Sequence, residues 1–258
     1  MTPILEARNL AFAYGSRAPV IHDLSFTVNS GTLGAVIGSN GCGKSTLVKL
    51  LAGILKPTRG DIMLDGVSLI HVPRMVAARR IAYVPQAFSM VFPFTALEVV
   101  ITGRSPFRKP FRFEDEHDRE CALKALEVAG AAHLADRLVT TLSGGEQQLV
   151  MVARALAQEP ACILLDEPSS SLDLKHRSAL MRTLVRLRDT LGMAVLVVTH
   201  DLHLMDKTFD RVIALRHGGL MMDAAPVEVL TQAVLAEVYE DQGIRTLNVE
   251  GRIVMWCD

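Results

Sequence analysis

The chain has 258 residues and nearly balanced charge, with 27 Lys and Arg against 28 Asp and Glu. This balance excludes a general electrostatic attraction to nucleic acid or to an anionic membrane. Half of the residues are hydrophobic but only 5% are aromatic, a composition typical of buried sheets covered by helices. The apolar runs are far shorter than the roughly 18 residues that a membrane-spanning helix needs. We therefore expect a large α/β core that does not cross a bilayer by itself.

The start of the sequence and the cysteines indicate a reducing, cytosolic environment. Residues 1–6 contain no basic run followed by an apolar block, which a secretory signal would have. The cysteines are widely spaced and form no Cys-x-x-Cys pair, which argues against a zinc site and a disulfide framework. We expect reduced thiols at Cys42, Cys121, Cys162 and Cys257.

The N-terminal residues predict antiparallel β-structure, followed by a strand, a turn and a helix. Apolar and polar positions alternate over residues 5–14 and 21–28, and residues 33–38 form an apolar run. Over residues 44–55 the apolar positions recur at helical spacing, before a segment with Pro and Gly breaks the pattern.

Two further apolar runs, at 162–165 and 194–198, each follow a helical pattern, at 144–158 and 175–191. Strands that are separated by crossover helices indicate a parallel sheet. Residues 95–133 carry mostly helical patterns with little strand signal. We interpret this last region as an inserted helical subdomain.

Residues 38–46 fit the pattern G-x-x-x-x-G-K-[ST] and lie between a predicted strand and a predicted helix, as that pattern requires. The glycines would let backbone N–H groups cradle a β-phosphate, the Lys44 ammonium would reach the β- and γ-phosphates, and Ser45 could hold Mg²⁺. A thiolate at Cys42 would have positive surroundings, so we expect alkylation of Cys42 to inhibit the protein unless ATP protects it. The residues predicted to bind nucleotide are Gly38, Ser39, Asn40, Gly41, Cys42, Gly43, Lys44, Ser45 and Thr46.

Two adjacent carboxylates, Asp166 and Glu167, follow the apolar run 162–165. Open α/β sheets bind ligands at the carboxyl ends of their strands, so these side chains should approach the phosphates. Asp166 suits the coordination sphere of Mg²⁺, directly or through water, and Glu167 can orient and polarise an attacking water. An adjacent acidic pair alone is as often a solvated turn as a site, and the phosphate loop favours the functional interpretation.

Residues 142–148 read Leu-Ser-Gly-Gly-Glu-Gln-Gln and precede a helical pattern, with Ser143 and Glu146 at the spacing of a capping box. With the phosphate loop before it and the Asp-Glu pair after it, this segment resembles the ATP-binding subunits of ABC transporters. The resemblance covers nearly the whole chain. It implies a homodimer in which Ser143, Gly144 and Gly145 contact the ATP bound by the opposite subunit.

The resemblance also implies roles for residues outside these motifs. Tyr14 would stack on adenine, Gln86 would contact Mg²⁺ and sense the membrane subunit, and His200 would contact the γ-phosphate. Residues 170–173, which end in Asp173, match the dimer-contact loop, although a serine stands at its second position where alanine is usual. The predicted catalytic residues are Lys44, Gln86, Glu167 and His200. The predicted Mg²⁺ ligands are Ser45, Gln86 and Asp166.

The implied fold is an α/β P-loop NTPase core with a mostly parallel sheet, an N-terminal antiparallel β subdomain and an inserted helical subdomain. Residues 226–239 look helical, and residues 244–249 and 252–256 look like short strands. We predict a single ATPase domain with three parts: a nucleotide-binding core at 1–90 and 158–230, a helical subdomain at 91–157, and a C-terminal extension at 231–258.

Residues 94–106 are similar to the segment after the glutamine loop in importers of iron-siderophore, haem and cobalamin complexes. This resemblance implies ATP hydrolysis that powers metal-chelate uptake at the cytoplasmic face of the membrane. The partners would be integral permease subunits and, indirectly, a periplasmic or lipid-anchored substrate-binding protein. Importers of molybdate or tungstate, or of zinc or manganese, are alternatives. Soluble ABC ATPases are a further class, but their ribosome-acting forms carry two cassettes and their DNA-repair forms a long coiled coil, which this sequence lacks.

Residues 104–113 interleave basic and aromatic side chains, a pattern that can bind nucleic acid or a partner surface. We favour a solvated loop or docking to the permease over nucleic acid, because the segment follows the Gln86 region. His200 and His203 lie three residues apart and could share a metal. No third and fourth ligands are identifiable, so we favour His200 as a phosphate contact.

Overall fold

Strands and helices alternate along most of the chain, in a computed structural model that describes residues 3–86, 92–108, 114–170, 172–202, 205, 208–249 and 252–257. The strands are β1 (Pro3–Phe12), β2 (Ile21–Asn29), β3 (Leu33–Ile37), β4 (Arg59–Leu64), β5 (Val67–Ser68), β6 (Ile81–Val84), β7 (Cys162–Asp166), β8 (Ala194–Val198), β9 (Arg211–Arg216), β10 (Gly219–Ala224), β11 (Ile244–Val249) and β12 (Arg252–Cys257). The α-helices are α1 (Lys44–Leu51), α2 (Arg74–Arg80), α3 (Ala96–Ile101), α4 (Glu116–Val128), α5 (Gly144–Leu156), α6 (Leu174–Leu191), α7 (Pro226–Val229) and α8 (Gln232–Tyr239).

The main sheet has six strands in the order β10-β9-β3-β8-β7-β6, and all neighbours except β10 and β9 pair in parallel. Every residue of β3, β7 and β8 is buried, because helices cover both faces of a parallel sheet. The carboxyl ends of β3, β6, β7 and β8 therefore lie at one edge. The predicted fold class, with its mostly parallel sheet, is confirmed.

The predicted antiparallel start is also present, as part of a second sheet with the order β2-β1-β4-β5. Helix α1 lies between the two sheets, and its Leu47 packs in one apolar cluster with Leu5 of β1 and Leu164 of β7. The opposite face of the main sheet packs against helices, with Ile163 of β7 in one cluster with Leu126 of α4. The main sheet is thus buried on both sides, which fixes the loops at its edge.

Several boundaries differ from the sequence-based expectation. Helix α1 ends at Leu51 rather than near residue 55, because Gly53 takes a left-handed conformation and the amides of Ile54 and Leu55 turn back to the Lys49 carbonyl. Residues 226–239, expected to be one helix, form the two helices α7 and α8. The second begins at Thr231, whose side chain accepts from the Val234 amide and caps α8.

Four strands were not expected from the sequence: β4, β5, β9 and β10. The hairpin of β9 and β10 extends the main sheet beyond β3, and β4 and β5 complete the antiparallel sheet. The predicted C-terminal strands are present and pair as an antiparallel hairpin, β11 with β12.

Helices α3, α4 and α5 pack against one another and form the helical part of the molecule. Two of them begin at capping boxes, α3 at Thr95 and α5 at Ser143, and Asp115 caps α4. Each cap pairs amides of the first helical turn that would otherwise lack a partner. Within the described residues, no helix is both long and apolar enough to cross a membrane.

A buried ion network joins α4 to the chain on either side of it. Arg104 is only 2% exposed, and its guanidinium donates to the Asp118 carboxylate at 3.2 Å, the Glu159 carboxylate at 2.7 Å and the Ala157 carbonyl at 2.8 Å. The Phe107 ring centroid lies 4.0 Å from the same guanidinium. Arg104, the first basic residue of the segment, is thus buried rather than solvated, and Phe107 and Arg108 are half-buried. Residues 109–113 lie outside the described residues.

We expect Arg104→Ala to lower the free energy of unfolding by about 3 kcal/mol or more, because it leaves the buried Asp118 carboxylate short of one of its cations. Denaturant unfolding followed by circular dichroism measures this change. The matched control is Arg80→Ala, which removes an exposed ion pair with Asp65 and should cost far less. Equal losses in the two variants would contradict a structural role for the buried network.

Candidate active site

The loop of residues 38–43 joins β3 to α1, and its backbone demands glycine at two positions. A Cβ atom on Gly38 would lie 2.5 Å from the Leu215 carbonyl oxygen, and one on Gly43 would lie 2.7 Å from the Ile21 side chain. Both residues, and Gly41 between them, have positive φ angles of 151°, 103° and 82° respectively. Such angles turn backbone N–H groups toward a common centre, which makes a concave site for an anion.

Lys44 is buried at the start of α1 and spans the inside of this loop. Its ammonium donates to the carbonyl oxygens of Gly38 at 2.8 Å and Ser39 at 2.9 Å. The loop is therefore held by its own lysine, and the ammonium lies at the positive N-terminal end of α1.

A second group of polar atoms surrounds Asp166, which is buried at the end of β7. Ser45 donates from its hydroxyl to one Asp166 oxygen at 2.9 Å, and Tyr83 donates to the other at 3.3 Å. Burial raises the pKa of the Tyr83 phenol, and the negative charge of Asp166 adds to that effect. Tyr83 therefore keeps its proton and remains a donor to Asp166.

Two side chains from neighbouring strand ends, Gln86 and His200, contact the Glu167 carboxylate. Gln86 donates from Nε2 to Glu167 Oε2 at 2.7 Å, and His200 Nδ1 lies 3.3 Å from the same oxygen. Glu167 itself has a φ of 47° and donates its amide to the Val198 carbonyl. This conformation is costly for a residue with a side chain, and here it aims the carboxylate between β6 and β8.

The start of the phosphate loop and the group of side chains around Glu167 border one cavity of about 540 Å³. Its lining residues are Gly38, Ser39, Asn40, Gln86, Glu167, His200 and Tyr239. The cavity thus has the phosphate loop on one side and the carboxylate, amide and imidazole groups of the strand ends on the other.

Tyr14 lies beside the loop, in contact with Thr46 in the first turn of α1. The Tyr14 hydroxyl is 3.3 Å from the Thr46 hydroxyl, and the ring packs edge-on against Phe12 with the centroids 4.8 Å apart. With 41% of its surface exposed, the ring keeps a face that a planar base could cover. Its adenine role stays a prediction.

Ser143, Gly144 and Gly145, which the family resemblance assigns to the ATP of the opposite subunit, are not among the described residues that line this cavity. Ser143 and Gly144 are exposed at the start of α5, while a Cβ on Gly145 would lie 2.6 Å from the His176 ring. Asp173 caps α6 and accepts from the His176 amide at 2.8 Å. In one chain these residues therefore form a separate surface, and their contact with nucleotide stays a prediction.

The comparisons with known proteins decide the family. A family model described as ABC transporter matches residues 21–170, more than half of the chain. The chain belongs to the ABC transporter family. The family resemblance inferred from the sequence motifs is confirmed, and the chain is an ATP-hydrolysing subunit.

Two curated relatives cover most of the chain. The hemin import ATP-binding protein HmuV of Nocardia farcinica is 43% identical over 88% of this chain and 77% of its own length. The ferric enterobactin transport ATP-binding protein FepC of Escherichia coli is 35% identical over 95% of this chain and 89% of its own.

Two solved structures have the same fold over nearly their whole length. A metal-chelate type ABC transporter in an inward-facing conformation matches with a TM-score of 0.82 and 31% identity, covering 98% of this chain and 96% of its own. The ATP-binding cassette MJ0796, a dimer in a post-hydrolysis state with ADP and Pi, matches with a TM-score of 0.75 and 28% identity, covering 86% and 98%.

One expectation about this ABC subunit is wrong: Cys42 does not present a reactive thiolate. The residue is buried behind Gly38, and burial raises the pKa of its thiol despite the opposing charge of Lys44. At neutral pH the thiol therefore stays protonated and shielded. Its place in the loop is one of packing, since a Cβ on Gly38 would lie 2.6 Å from the Cys42 sulfur.

Two site residues were missed as functional candidates, Tyr83 and Tyr239. Tyr83 lies on β6, three residues before Gln86. Its position near the end of a strand that leads to the site could have identified it. Tyr239 lies about 200 residues from the phosphate loop in sequence but lines the same cavity. No spacing or motif connects Tyr239 with Gly38, and only the folded chain reveals their proximity. His203 lies outside the described residues.

Proposed function

We propose that this ABC subunit powers the import of a metal chelate of the iron(III)-siderophore, haem or cobalamin type. The observation that carries this proposal is the agreement between relatives: those named for hemin and ferric enterobactin import cover most of the chain, and a metal-chelate type transporter has the same fold. In this proposal the chain binds ATP and Mg²⁺ and works as a homodimer on the cytoplasmic face of the membrane. It drives integral permease subunits, which a periplasmic or lipid-anchored protein supplies with cargo.

The donor atoms beside the phosphate loop fit a nucleotide with Mg²⁺. Ser45 and Asp166 place a hydroxyl and a carboxylate oxygen side by side, and Mg²⁺ prefers such oxygen ligands. Gln86 supplies an amide oxygen as a third ligand in our proposal. When bound, Mg²⁺ neutralises charge on the phosphates. Lys44 then turns from the Gly38 and Ser39 carbonyls to the β- and γ-phosphates.

The hydrolytic step is assigned to residues that border the cavity. Glu167 accepts a proton from the attacking water while the water oxygen forms a bond to the γ-phosphorus. The bond between the γ-phosphorus and the β-phosphate oxygen breaks, and ADP leaves. Gln86 and His200 contact Oε2 of Glu167, an arrangement that directs Oε1 to the water. His200 also donates to the γ-phosphate, and Lys44 stabilises the charge that develops on the phosphate oxygens.

We expect Glu167→Gln to lower ATP turnover by roughly 10² or more while Mg-ATP binding persists, because the amide cannot accept the water's proton. Phosphate release measures turnover, and a fluorescent ATP analogue measures binding. The matched control is Glu120→Gln, the same change at an exposed position on α4. Turnover equal to wild type in the Glu167 variant would remove this residue from the role of base.

The second copy is proposed to complete each nucleotide site. Gly144 and Gly145 lie at the positive N-terminal end of α5, where an anion can bind, and the Ser143 hydroxyl lies beside them. In one chain these residues lie away from the cavity of Gly38 and Glu167. A partner chain related by a two-fold axis could bring its own copy of this surface over the phosphate loop. The dimeric state of the related cassette MJ0796 supports this arrangement.

A mixing experiment tests the shared site. Lys44→Ala disables the phosphate loop, and Gly144→Asp places a carboxylate where the γ-phosphate would bind, at a helix start that tolerates acidic residues. Either variant alone should be inactive. Mixed, they should regain up to about a quarter of wild-type turnover, because each mixed dimer contains one intact site. A mixture no more active than its components would show that each chain forms its own site.

The cargo itself distinguishes this proposal from its alternatives. The source organism would be deprived of the gene for this chain and assayed for uptake of radiolabelled haem iron and ferric siderophore. We expect loss of one of these uptakes, or of cobalamin uptake, restored by the wild-type gene but not by the Glu167→Gln variant. Intact chelate uptake with impaired molybdate, tungstate, zinc or manganese uptake would favour those importers. Intact uptake of all of them would favour a soluble ABC ATPase.

A further inference from the structure

The C-terminal helix α8 reaches the nucleotide site through its last residue, Tyr239. Helix α8 packs against β9, and Tyr239 borders the same cavity as Gly38, Ser39 and Asn40. No other residue after position 231 is among those that line this cavity within the described chain. Tyr239 is therefore the point where the C-terminal extension contacts the phosphate loop.

The Tyr239 hydroxyl is buried and has no hydrogen-bond partner among the described residues. Burial raises the pKa of Tyr239 to about 12, although the nearby Gly38 amide partly opposes this shift. The phenol therefore keeps its proton and is available as a donor. A buried hydroxyl without a partner costs free energy, so such a group usually has a partner in some functional state.

The phosphate loop lacks a donor in the state in which Lys44 binds phosphate. In the present arrangement the Lys44 ammonium occupies the Gly38 carbonyl at 2.8 Å and the Ser39 carbonyl at 2.9 Å. When the ammonium turns to phosphate oxygens, these carbonyls lose the charged donor that stabilises them. Tyr239 borders the same cavity as Gly38 and carries a buried hydroxyl that can donate.

We propose that Tyr239 is a positioning residue of the nucleotide site: its hydroxyl donates to the Gly38 carbonyl when Lys44 leaves that oxygen for the phosphates of ATP. The inference rests on the proposed nucleotide site. It makes the C-terminal extension part of the ATP-bound state, because the hydrogen bond that stabilises the loop comes from α8.

The position of α8 is fixed by the same strand end that contacts the loop. The Leu215 carbonyl of β9 lies against Gly38, and the next two residues bind α8. Arg216 donates to Glu237 at 2.9 Å, and His217 contacts Glu240 at 2.6 Å. These contacts anchor the end of α8 beside the phosphate loop.

The decisive variant is Tyr239→Phe, which keeps the ring and removes the hydroxyl. We expect nucleotide-free Tyr239→Phe to melt at the wild-type temperature or above, since the lost hydroxyl has no partner there. The rise in melting temperature that Mg-ATP produces should be smaller than in wild type. The KM for ATP should rise about three- to tenfold, the loss of one net hydrogen bond, with kcat changed less than about twofold.

The matched control is Gln232→Ala, which changes an exposed side chain on the same helix, away from the contacts that fix Tyr239. It should leave the KM and the nucleotide-dependent melting shift at wild-type values. The inference is overturned if Tyr239→Phe keeps the wild-type KM and shift, if both variants lose them equally, or if Tyr239→Phe destabilises the nucleotide-free protein as much as the ATP-bound protein. Failure of the wild-type chain to bind Mg-ATP would instead overturn the proposed nucleotide site.

Discussion

The parallel register of the central strands is the constraint on which the site depends. Val84 of β6 pairs with Leu165 of β7, and Asp166 pairs with Val198 of β8, so the residues after these strands emerge side by side. A slip of one residue would turn every side chain of a strand to the opposite face. The contact of Gln86 and His200 with one oxygen of Glu167 exists because this register is held. Burial of both faces of the sheet holds it.

Several polar side chains of the site are paired with other protein groups. Lys44 is paired with loop carbonyls, Asp166 with the Ser45 hydroxyl, and Glu167 with Gln86. Binding of a nucleotide must therefore exchange hydrogen bonds rather than create them all anew, which lowers the net gain from each contact. In our proposal, the same exchange couples the site to neighbouring elements. Any group that replaces Lys44 at the Gly38 carbonyl couples its own element to the phosphate loop.

Buried side chains pack on both sides of the site. Helix α1 is clamped between the two sheets, with Leu47 and Leu50 fully buried. On the other side, the ion network of Arg104 and Asp118 ties α4 to the segments around it. Removing one partner of such a pair leaves a buried charge without compensation, which makes the arrangement hard to change. The helical part thus presents the start of α5 as a fixed surface.

The sequence by itself determined the phosphate loop, the acidic strand end, the capped start of α5 and the parallel strands, because each is a local pattern of spacing or periodicity. It did not predict the hairpin of β9 and β10, in which β9 pairs with β3 and so joins residues about 180 positions apart. It predicted a lowered pKa for the Cys42 thiol, whereas the pKa is raised. The neighbouring lysine is visible in the sequence, but the burial that outweighs its charge is not. The sequence also gave no sign that Tyr239 lies at the site, because its proximity to Gly38 depends on how distant segments pack. Only the tertiary structure decided these points, since burial and long-range contact arise when distant segments pack together, and no local pattern encodes them.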